Sequence, residues 1–370
     1  MNILILADLV TFSGVGNYIR YLTTTLVERG NKVVIVTAQD DLHIEGVKTF
    51  LLRPINISPI NIFFNIRVLK NIIEEHSIDI IHANHRMSSF LVGVYNLFYS
   101  HIPSVWTAHT GRFPMSFFKK IFGYYGDRSI AISFECKTFM RNVLSISEKK
   151  IDVVNNGIKP NNLLPLSKDE IIKLKNIWNI PDDKLVIAIH GRIAYEKGLD
   201  FLVESLKYLD TYSLSKIVIV CSGIYENNNY YDYLKDLIIK NKFQNLFIFV
   251  GWCETRNLLG ISDLFLNLSR REGFLIAAIE AFFMEVPVIR TMEGGFEDMK
   301  DICVGIPFGD KDALLYQIKS FIDNPLQFSD MIQKAKAKAL EQFTLDTMVS
   351  KTYDVYLSAI KSVNKKQFVS

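Results

Sequence analysis

Two glutamates with seven residues between them, Glu272 and Glu280, sit in the stretch Ser269 to Gly295, SRREGFLIAAIEAFFMEVPVIRTMEGG. Glu272 precedes the first turn of an expected helix, where open backbone N–H groups and the helix dipole favour anions. Glu280 falls about two turns further in, among Ile276, Ala277, Ile279, Ala281, Phe282 and Phe283, a run too apolar for a surface helix. A carboxylate there needs a partner, since burying it unpaired is costly. A sugar diol, such as the 2′,3′-pair of a ribose, donates two hydrogen bonds to a carboxylate and would serve. The structural alternative is that Glu272 caps the helix and Glu280 meets an arginine or backbone donors.

Two cations form a second constellation. Arg192 and Lys197 lie in IHGRIAYEKGLDFL, straight after an apolar run, with four residues between them and Gly198 opening the next helix. An arginine fork and a lysine point charge at a strand's carboxyl end could neutralise a diphosphate leaving group. They could equally be a solvated loop pair, with Lys197 on Glu196. Gly14-Val15-Gly16 follows the first strand and precedes a helix, as a phosphate-cradling loop does. It could also simply make a tight turn. A dinucleotide fingerprint fails there, because Ile19 takes the third glycine's place and no acidic residue follows the second strand before Asp40. His109 ends the run SVWTAH and lands at another strand end, where a lone histidine is structural as readily as functional.

Those side chains need a frame to hold them. In the first half, strands are expected at Asn2–Leu6, Lys32–Thr37, Asp79–His82, Ser104–Ala108 and Arg128–Ile132, with an amphipathic helix over Tyr18–Arg29 ended by Gly30. A second series begins after Pro181, with strands at Leu185–His190, Lys216–Cys221, Asn245–Val250, Leu264–Leu268 and Val286–Arg290. Helices over Gly198–Leu209, Tyr230–Asn241, Thr255–Gly260 and Phe274–Phe283 alternate with them. Alternation of this kind means βαβ units and parallel sheets. The expected fold class is α/β, two doubly wound Rossmann-like domains facing a cleft, with ligands beyond the carboxyl ends of the strands. The first domain is expected over 1–165 and the second over 166–345, with the Pro- and Asn-rich segment Asn156–Pro181 between the two strand series read as a linker with a short helix. A terminal helix within 346–370 is long enough to reach back to the first domain.

Composition narrows the class. At 370 residues the chain is too long for one typical core, and 49% apolar with 22% charged residues is globular. Cys136, Cys221, Cys253 and Cys303 lack metal-ligand spacing and read as buried thiols of a reducing cytosol. The first residues, MNILILADLVTF, carry no basic start and read as a strand rather than a signal peptide. Residues 1–160 carry 17 Lys and Arg against 12 Asp and Glu; residues 161–370 carry 25 against 27. The basic bias of the first part suits an anionic lipid surface and is too weak for a nucleic-acid reader.

Taken together the motifs resemble the retaining glycosyltransferases of family 4, which have the GT-B architecture. The resemblance is carried by SGVGNYIRYLTTTLVERGNKV, WTAHTG, AISFECKTFM, VVNNGI, IHGRIAYEKGLDFLVESL, IFVGW and SDLFLNLSRREGFLIAAIEAFFMEVPVIRTMEGG, in that order over about 300 residues. It implies that Arg192 and Lys197 hold the donor diphosphate and that Glu280 takes the ribose hydroxyls. Glu272 would take hydroxyls of the transferred sugar, Gly14 and Gly16 would let the first domain approach the phosphate, and His109 would lie beside the reacting sugar. Phe274 and Leu275 would offer backbone N–H groups. Ser13 stands where a first glycine is common, and Leu275 where glycine usually follows Phe274, which puts a side chain near the donor. The donor would be a UDP- or GDP-sugar, the acceptor a glycan or lipid-linked glycan, and no metal would be required.

The segment Phe113 to Ser129 sets Phe117, Phe118, Ile121, Phe122 and Tyr125 beside Lys119 and Lys120, as an interface-lying helix does. A core-facing helix with two solvated lysines would look the same. Ile60–Leu69 has a similar character. The expectation is therefore a cytoplasmic-side enzyme of polysaccharide or glycolipid synthesis, peripheral on the inner membrane face. A nucleotide-sugar epimerase on the same scaffold and a non-catalytic subunit of a glycan-assembly complex are the rivals, with a dehydrogenase behind them.

Overall fold

Runs rich in Ile, Val and Leu become strands buried on both faces, as central parallel strands are. The computed structural model describes residues 1–11, 13–111, 123–225 and 228–367. Contacts divide the chain into two units, residues 1–157 with 345–370, and residues 158–344. The expected membrane segment lies outside the described residues over 112–122.

In the first unit the strands are β1 (Asn2–Ala7), β2 (Lys32–Thr37), β3 (Lys48–Leu51), β4 (Ile80–Ala83), β5 (Ser104–Ala108), β6 (Arg128–Ala131) and β7 (Ile151–Val153). They form one sheet in the order β3-β2-β1-β4-β5-β6-β7, every pair parallel. The helices are α1 (Gly14–Glu28), α2 (Pro59–Glu75), α3 (Arg86–Phe98), α4 (Phe134–Asn142) and, from the end of the chain, α13 (Leu345–Gln367). One face of the sheet packs Ile3 and Ile5 with Tyr18, Leu22 and Leu26 of α1 and with Met348, Val349 and Tyr356 of α13. The other packs Leu4 and Leu6 with Ile66, Leu69 and Ile72 of α2 and Leu91, Val92 and Tyr95 of α3. An ion pair from Arg29 to Asp346 (2.8 Å) ties the start of α13 to the end of α1.

Helix α1 begins earlier than expected. Ser13 caps it, its Oγ accepting from the Gly16 N–H at 3.1 Å, so Gly14–Gly16 is the first helical turn and not a separate tight turn. Gly16 is required by packing, because a Cβ there would lie 1.8 Å from the Thr11 carbonyl oxygen. Strands β3 and β7, which the sequence does not announce, lie at the sheet edges, where short, half-exposed segments carry little hydrophobic signal.

The second unit contains β8 (Leu185–His190), β9 (Ile217–Ser222), β10 (Phe247–Gly251), β11 (Leu264–Asn267), β12 (Val288–Thr291) and β13 (Val304–Ile306). Their order is β10-β9-β8-β11-β12-β13, again all parallel. The helices are α5 (Lys168–Ile177), α6 (Leu199–Leu206), α7 (Thr211–Lys216), α8 (Asn228–Lys240), α9 (Thr255–Gly260), α10 (Ile276–Phe283), α11 (Lys311–Asp323) and α12 (Ser329–Gln342). The segment read as a linker holds α5, opened by a capping box of Ser167 and Glu170. Helix α10 starts at Ile276, not Phe274. In each sheet the winding direction reverses once, between β1 and β4 and between β8 and β11. Such reversals open a crevice at the strands' carboxyl ends.

Candidate functional site

In the second unit the β8/β11 reversal brings two distant loops together. The loop after β8 carries Arg192, which is exposed, and a single 3₁₀ turn, Tyr195–Lys197. Gly198 then adopts φ +69°, and a Cβ on it would stand 2.1 Å from the Leu268 carbonyl oxygen. That close approach presses the turn against the end of β11. Lys197 Nζ consequently donates to Glu272 Oε2 at 2.7 Å, and Ser269 Oγ donates to the same oxygen at 2.8 Å. Both alternatives read from sequence are therefore replaced: Lys197 is not held by Glu196, and Glu272 is not a helix cap. The N-cap of α10 is Leu275, with no side-chain cap.

This pair is largely enclosed, with side-chain exposures of 18% for Lys197 and 14% for Glu272. Its geometry leaves two of the three lysine N–H donors and the other glutamate oxygen, Oε1, for a ligand. Leu275 is buried, so its side chain belongs to the interior. Phe274 is buried too, its ring edge-on to Phe343. The first backbone N–H groups of α10 have no capping side chain, and that of Ala278 donates to the Leu275 carbonyl at 3.2 Å.

A set not foreseen in the sequence braces both loops. Arg270 forms a two-pronged ion pair with Asp200, at 2.9 Å to Oδ1 and 2.6 Å to Oδ2. Its guanidinium lies over the Tyr195 ring at 3.8 Å, and its backbone N–H donates to the Glu196 carbonyl at 2.7 Å. Tyr230 also donates to Asp200 Oδ1, at 2.9 Å. The arginine-rich turn was visible in the sequence, but its partner stands 70 residues away with no spacing rule to connect them.

Among the described residues Glu280 meets neither an arginine nor backbone donors; its carboxyl pairs with the Thr255 hydroxyl of α9. Burial pushes its pKa up to about 7, and the threonine only partly offsets this. Thr255 Oγ1 also lies 3.3 Å from His190 Nε2 at the end of β8. Burial, and then the Lys197 charge, hold His190 down at about 4, so it is neutral at physiological pH. Its Nδ1 is buried without a partner.

The first unit builds its own polar cluster at the β1/β4 reversal. His109, beyond β5, has its Nε2 3.2 Å from Asn84 Oδ1, and Tyr18 of α1 lies edge-on to its ring at 4.8 Å. Asn84 Nδ2 points at the His82 carbonyl (3.4 Å), which orients Oδ1 as the acceptor. His109 therefore carries its proton on Nε2 and presents Nδ1 as an acceptor. Burial, then His85 and His82, keep its pKa well below the usual range. Beside it, His85 Nδ1 accepts from the Asp8 backbone N–H at 3.1 Å, and Ser88 donates to Asp8 Oδ1. Asp8, Asn84 and His85 were missed in the sequence, although each stands within two residues of a strand's carboxyl end. Gly14 and Gly16 lie in the same unit, on the first turn of α1, and the Gly16 N–H is already taken by Ser13.

Among the described residues no group of three or more His, Cys, Asp or Glu is placed to hold a metal ion, and no helix is long and apolar enough to cross a membrane.

Comparison with known proteins agrees with this architecture. Residues 12–162 match the family described as Glycosyltransferase Family 4, and residues 170–338 the family described as Glycosyl transferases group 1. An uncharacterized glycosyltransferase of Methanocaldococcus jannaschii is 24% identical, over 95% of this chain and 96% of that one. The alpha-monoglucosyldiacylglycerol synthase of Acholeplasma laidlawii is 24% identical over 78% of this chain and 77% of its own. Anabaena HepE, solved in complex with UDP, superposes with a TM-score of 0.83 at 19% identity, covering 97% of this chain and all (100%) of that one. The chain belongs to the family 4 type of glycosyltransferases and has their two-domain GT-B fold.

Proposed function

We propose that the protein transfers a sugar from a UDP- or GDP-sugar to a glycan or lipid-linked acceptor, with retention of anomeric configuration, in cell-surface polysaccharide or glycolipid synthesis. The observation that carries this is the Lys197–Glu272–Ser269 contact at the β8/β11 reversal, with Glu280 in α10, the helix that follows Glu272 in the chain. It sets a cation with spare donors beside carboxylates with spare acceptors, as a diphosphate joined to two sugars requires. Arg192, Lys197 and the N–H groups near Phe274 and Leu275 hold the diphosphate and stabilise the charge that develops as it leaves. Glu280 accepts from the ribose hydroxyls and Glu272 from those of the transferred sugar. His109 accepts a sugar hydroxyl at Nδ1. The bond from the anomeric carbon to the diphosphate breaks, the acceptor oxygen bonds that carbon on the same face, and the acceptor's proton passes to the leaving phosphate oxygen. Complexes of HepE with UDP and with UDP-glucose support a UDP donor, and the diacylglycerol in the name of the Acholeplasma relative supports a lipid acceptor. The enzyme would then work at the cytoplasmic face of a membrane.

Calorimetric titration with UDP, GDP, ADP and NAD, repeated on Lys197→Ala, tests this reading. One nucleoside diphosphate should bind, and the substitution should weaken it about 10- to 100-fold, the worth of a hydrogen bond to a charged group. Binding of none, or of NAD alone, would overturn the assignment. Donor turnover without any acceptor beyond slow hydrolysis would favour an epimerase.

A further inference from the structure

Glu280, Thr255 and His190 form a hydrogen-bonded series drawn from three separate elements: the middle of α10, the first residue of α9 and the last of β8. The Glu280 carboxyl meets the Thr255 hydroxyl, and Thr255 Oγ1 lies 3.3 Å from His190 Nε2. All three residues are half-buried, and the His190 Nδ1 atom is enclosed without a partner. Lys197 passes the same strand end, its Cε 3.6 Å from where a Cβ on Gly191 would stand. The lysine charge adds to burial in keeping His190 neutral. Burial opposes ionisation of Glu280, and Thr255 is the group that favours it.

A hydroxyl has one proton, so the series has a direction. When neutral His190 carries its proton on Nε2 it donates to Thr255, and the threonine proton goes to Glu280. The carboxyl is then held as an acceptor, its ionised form. In the reverse direction Thr255 donates to His190 Nε2, and only a protonated Glu280 can complete the bond. That direction also places the histidine's proton on Nδ1, an enclosed N–H with no acceptor. Such donors are rarer in proteins than enclosed acceptors without a donor. The enclosure of Nδ1 therefore selects the first direction.

We infer that His190 is a positioning residue for Glu280: its Nε2–H turns the Thr255 hydroxyl toward the carboxylate and so keeps Glu280 in the form that accepts from a diol. Of the elements packed on α10, α9 faces Glu280 with Thr255, and α12 and β12 add no charge to it among the described residues. The charge that acts on His190 is that of Lys197. The step from this carboxylate to nucleotide affinity rests on the proposed transfer function, whereas the setting of the carboxyl by His190 does not.

Two readouts on the full chain test this. In the free protein, pH-difference infrared spectroscopy follows the carboxyl band that Glu280→Gln removes. Its midpoint should lie at about pH 7 in the parent and about one unit higher in His190→Leu and in Thr255→Val, the tenfold that one hydrogen bond is worth. His190→Gln keeps an N–H at the reach of Nε2 and should restore the parental midpoint; His190→Asn, which reaches only as far as Nδ1, should not. His190→Leu with Thr255→Val should shift no further than Thr255→Val alone, since His190 acts through that hydroxyl. In calorimetry, His190→Leu should bind UDP about fivefold more weakly than the parent at pH 7 and about equally at pH 9. A purely structural role would weaken binding alike at both. An unshifted midpoint in His190→Leu overturns the inference, as does His190 protonated on Nδ1 by nitrogen NMR at pH 8. Where His190→Leu does not fold, the Gln and Asn variants decide, and equal midpoints for those two overturn it. A shifted midpoint with UDP affinity identical in the parent and Glu280→Gln leaves the inference standing and overturns the ribose contact instead.

Discussion

Glu280→Gln separates the burial of this carboxylate from its proposed contact with a ribose. Burial lifts its pKa from 4.5 to about 7, so near neutrality the unliganded protein is divided between the acid and the carboxylate. Only the carboxylate accepts from both hydroxyls of a diol, so it is the binding form. At pH 6 about a tenth of the protein carries it and at pH 8 about nine tenths, which makes UDP affinity about tenfold weaker at the lower pH. The terminal phosphate of UDP titrates near pH 6 as well, but it does so equally for parent and variant. The difference between the two affinity profiles therefore reports Glu280 alone. The variant should bind weakly and show only the ligand's own pH dependence.

Stability supplies an independent arm of the same test. A carboxyl whose folded pKa is raised contributes its full stability below the unfolded value and loses it as pH climbs through the folded one. The parent should lose stability to this group between about pH 4.5 and 7, by at most about 4 kcal/mol at about 1.4 kcal/mol for each tenfold change. Gln has no such loss, so the gap between variant and parent should widen over that window and stay level above it. His190 works in the other direction, since its lowered pKa removes stability as pH falls from 6.5 towards 4, but it is common to both proteins. Denaturant unfolding from pH 4.5 to 8 measures the gap. Parallel curves for the two proteins would refute the burial argument, and identical UDP profiles would refute the ribose contact.

Two further substitutions test how the loops are held. Gly198→Ala places a side chain at φ +69° against the Leu268 carbonyl; we expect a stability loss of at least about 2 kcal/mol and weakened UDP binding, measured by thermal melting and calorimetry. Arg270→Ala leaves Asp200 enclosed without its ion-pair partner and should cost about 3 kcal/mol, with a double-mutant cycle against Asp200→Ala giving a coupling well above the worth of a surface pair. Additive effects in that cycle would show that the pair does not brace the site.

The elements were legible because their signals are local. Strand and helix alternation announced two parallel sheets, and the central strands NILILA, KVVIVT and LVIAIH appear where their apolar runs lie. The edge strands β3 and β7 were not legible, because a half-exposed segment of three or four residues has no period to read. The start of α1 was misplaced by reading Gly14 and Gly16 as a turn, when a Ser13 cap allows both into the helix. Glu280 was recognised as a carboxylate in an apolar helix, yet its partner is a hydroxyl from α9, which no motif foretold.

From the sequence alone came the chemical types beyond the strand ends, Lys197, Glu272 and His109, the carboxylate Glu280 in the helix that follows, and the kind of ligand such groups suit. Only the tertiary structure decided their neighbours. Lys197 reaches Glu272 across 75 residues because β8 and β11 are adjacent at the reversal of strand order, and because a side-chain-free Gly198 lets the two loops touch. Arg270 finds Asp200 for the same reason. The last helix joins the first unit because its apolar face, with Met348, Val349 and Tyr356, completes that unit's core. Periodicity records which face of an element is buried; which element lies opposite depends on strand order and loop closure, and these have no local signature in the chain.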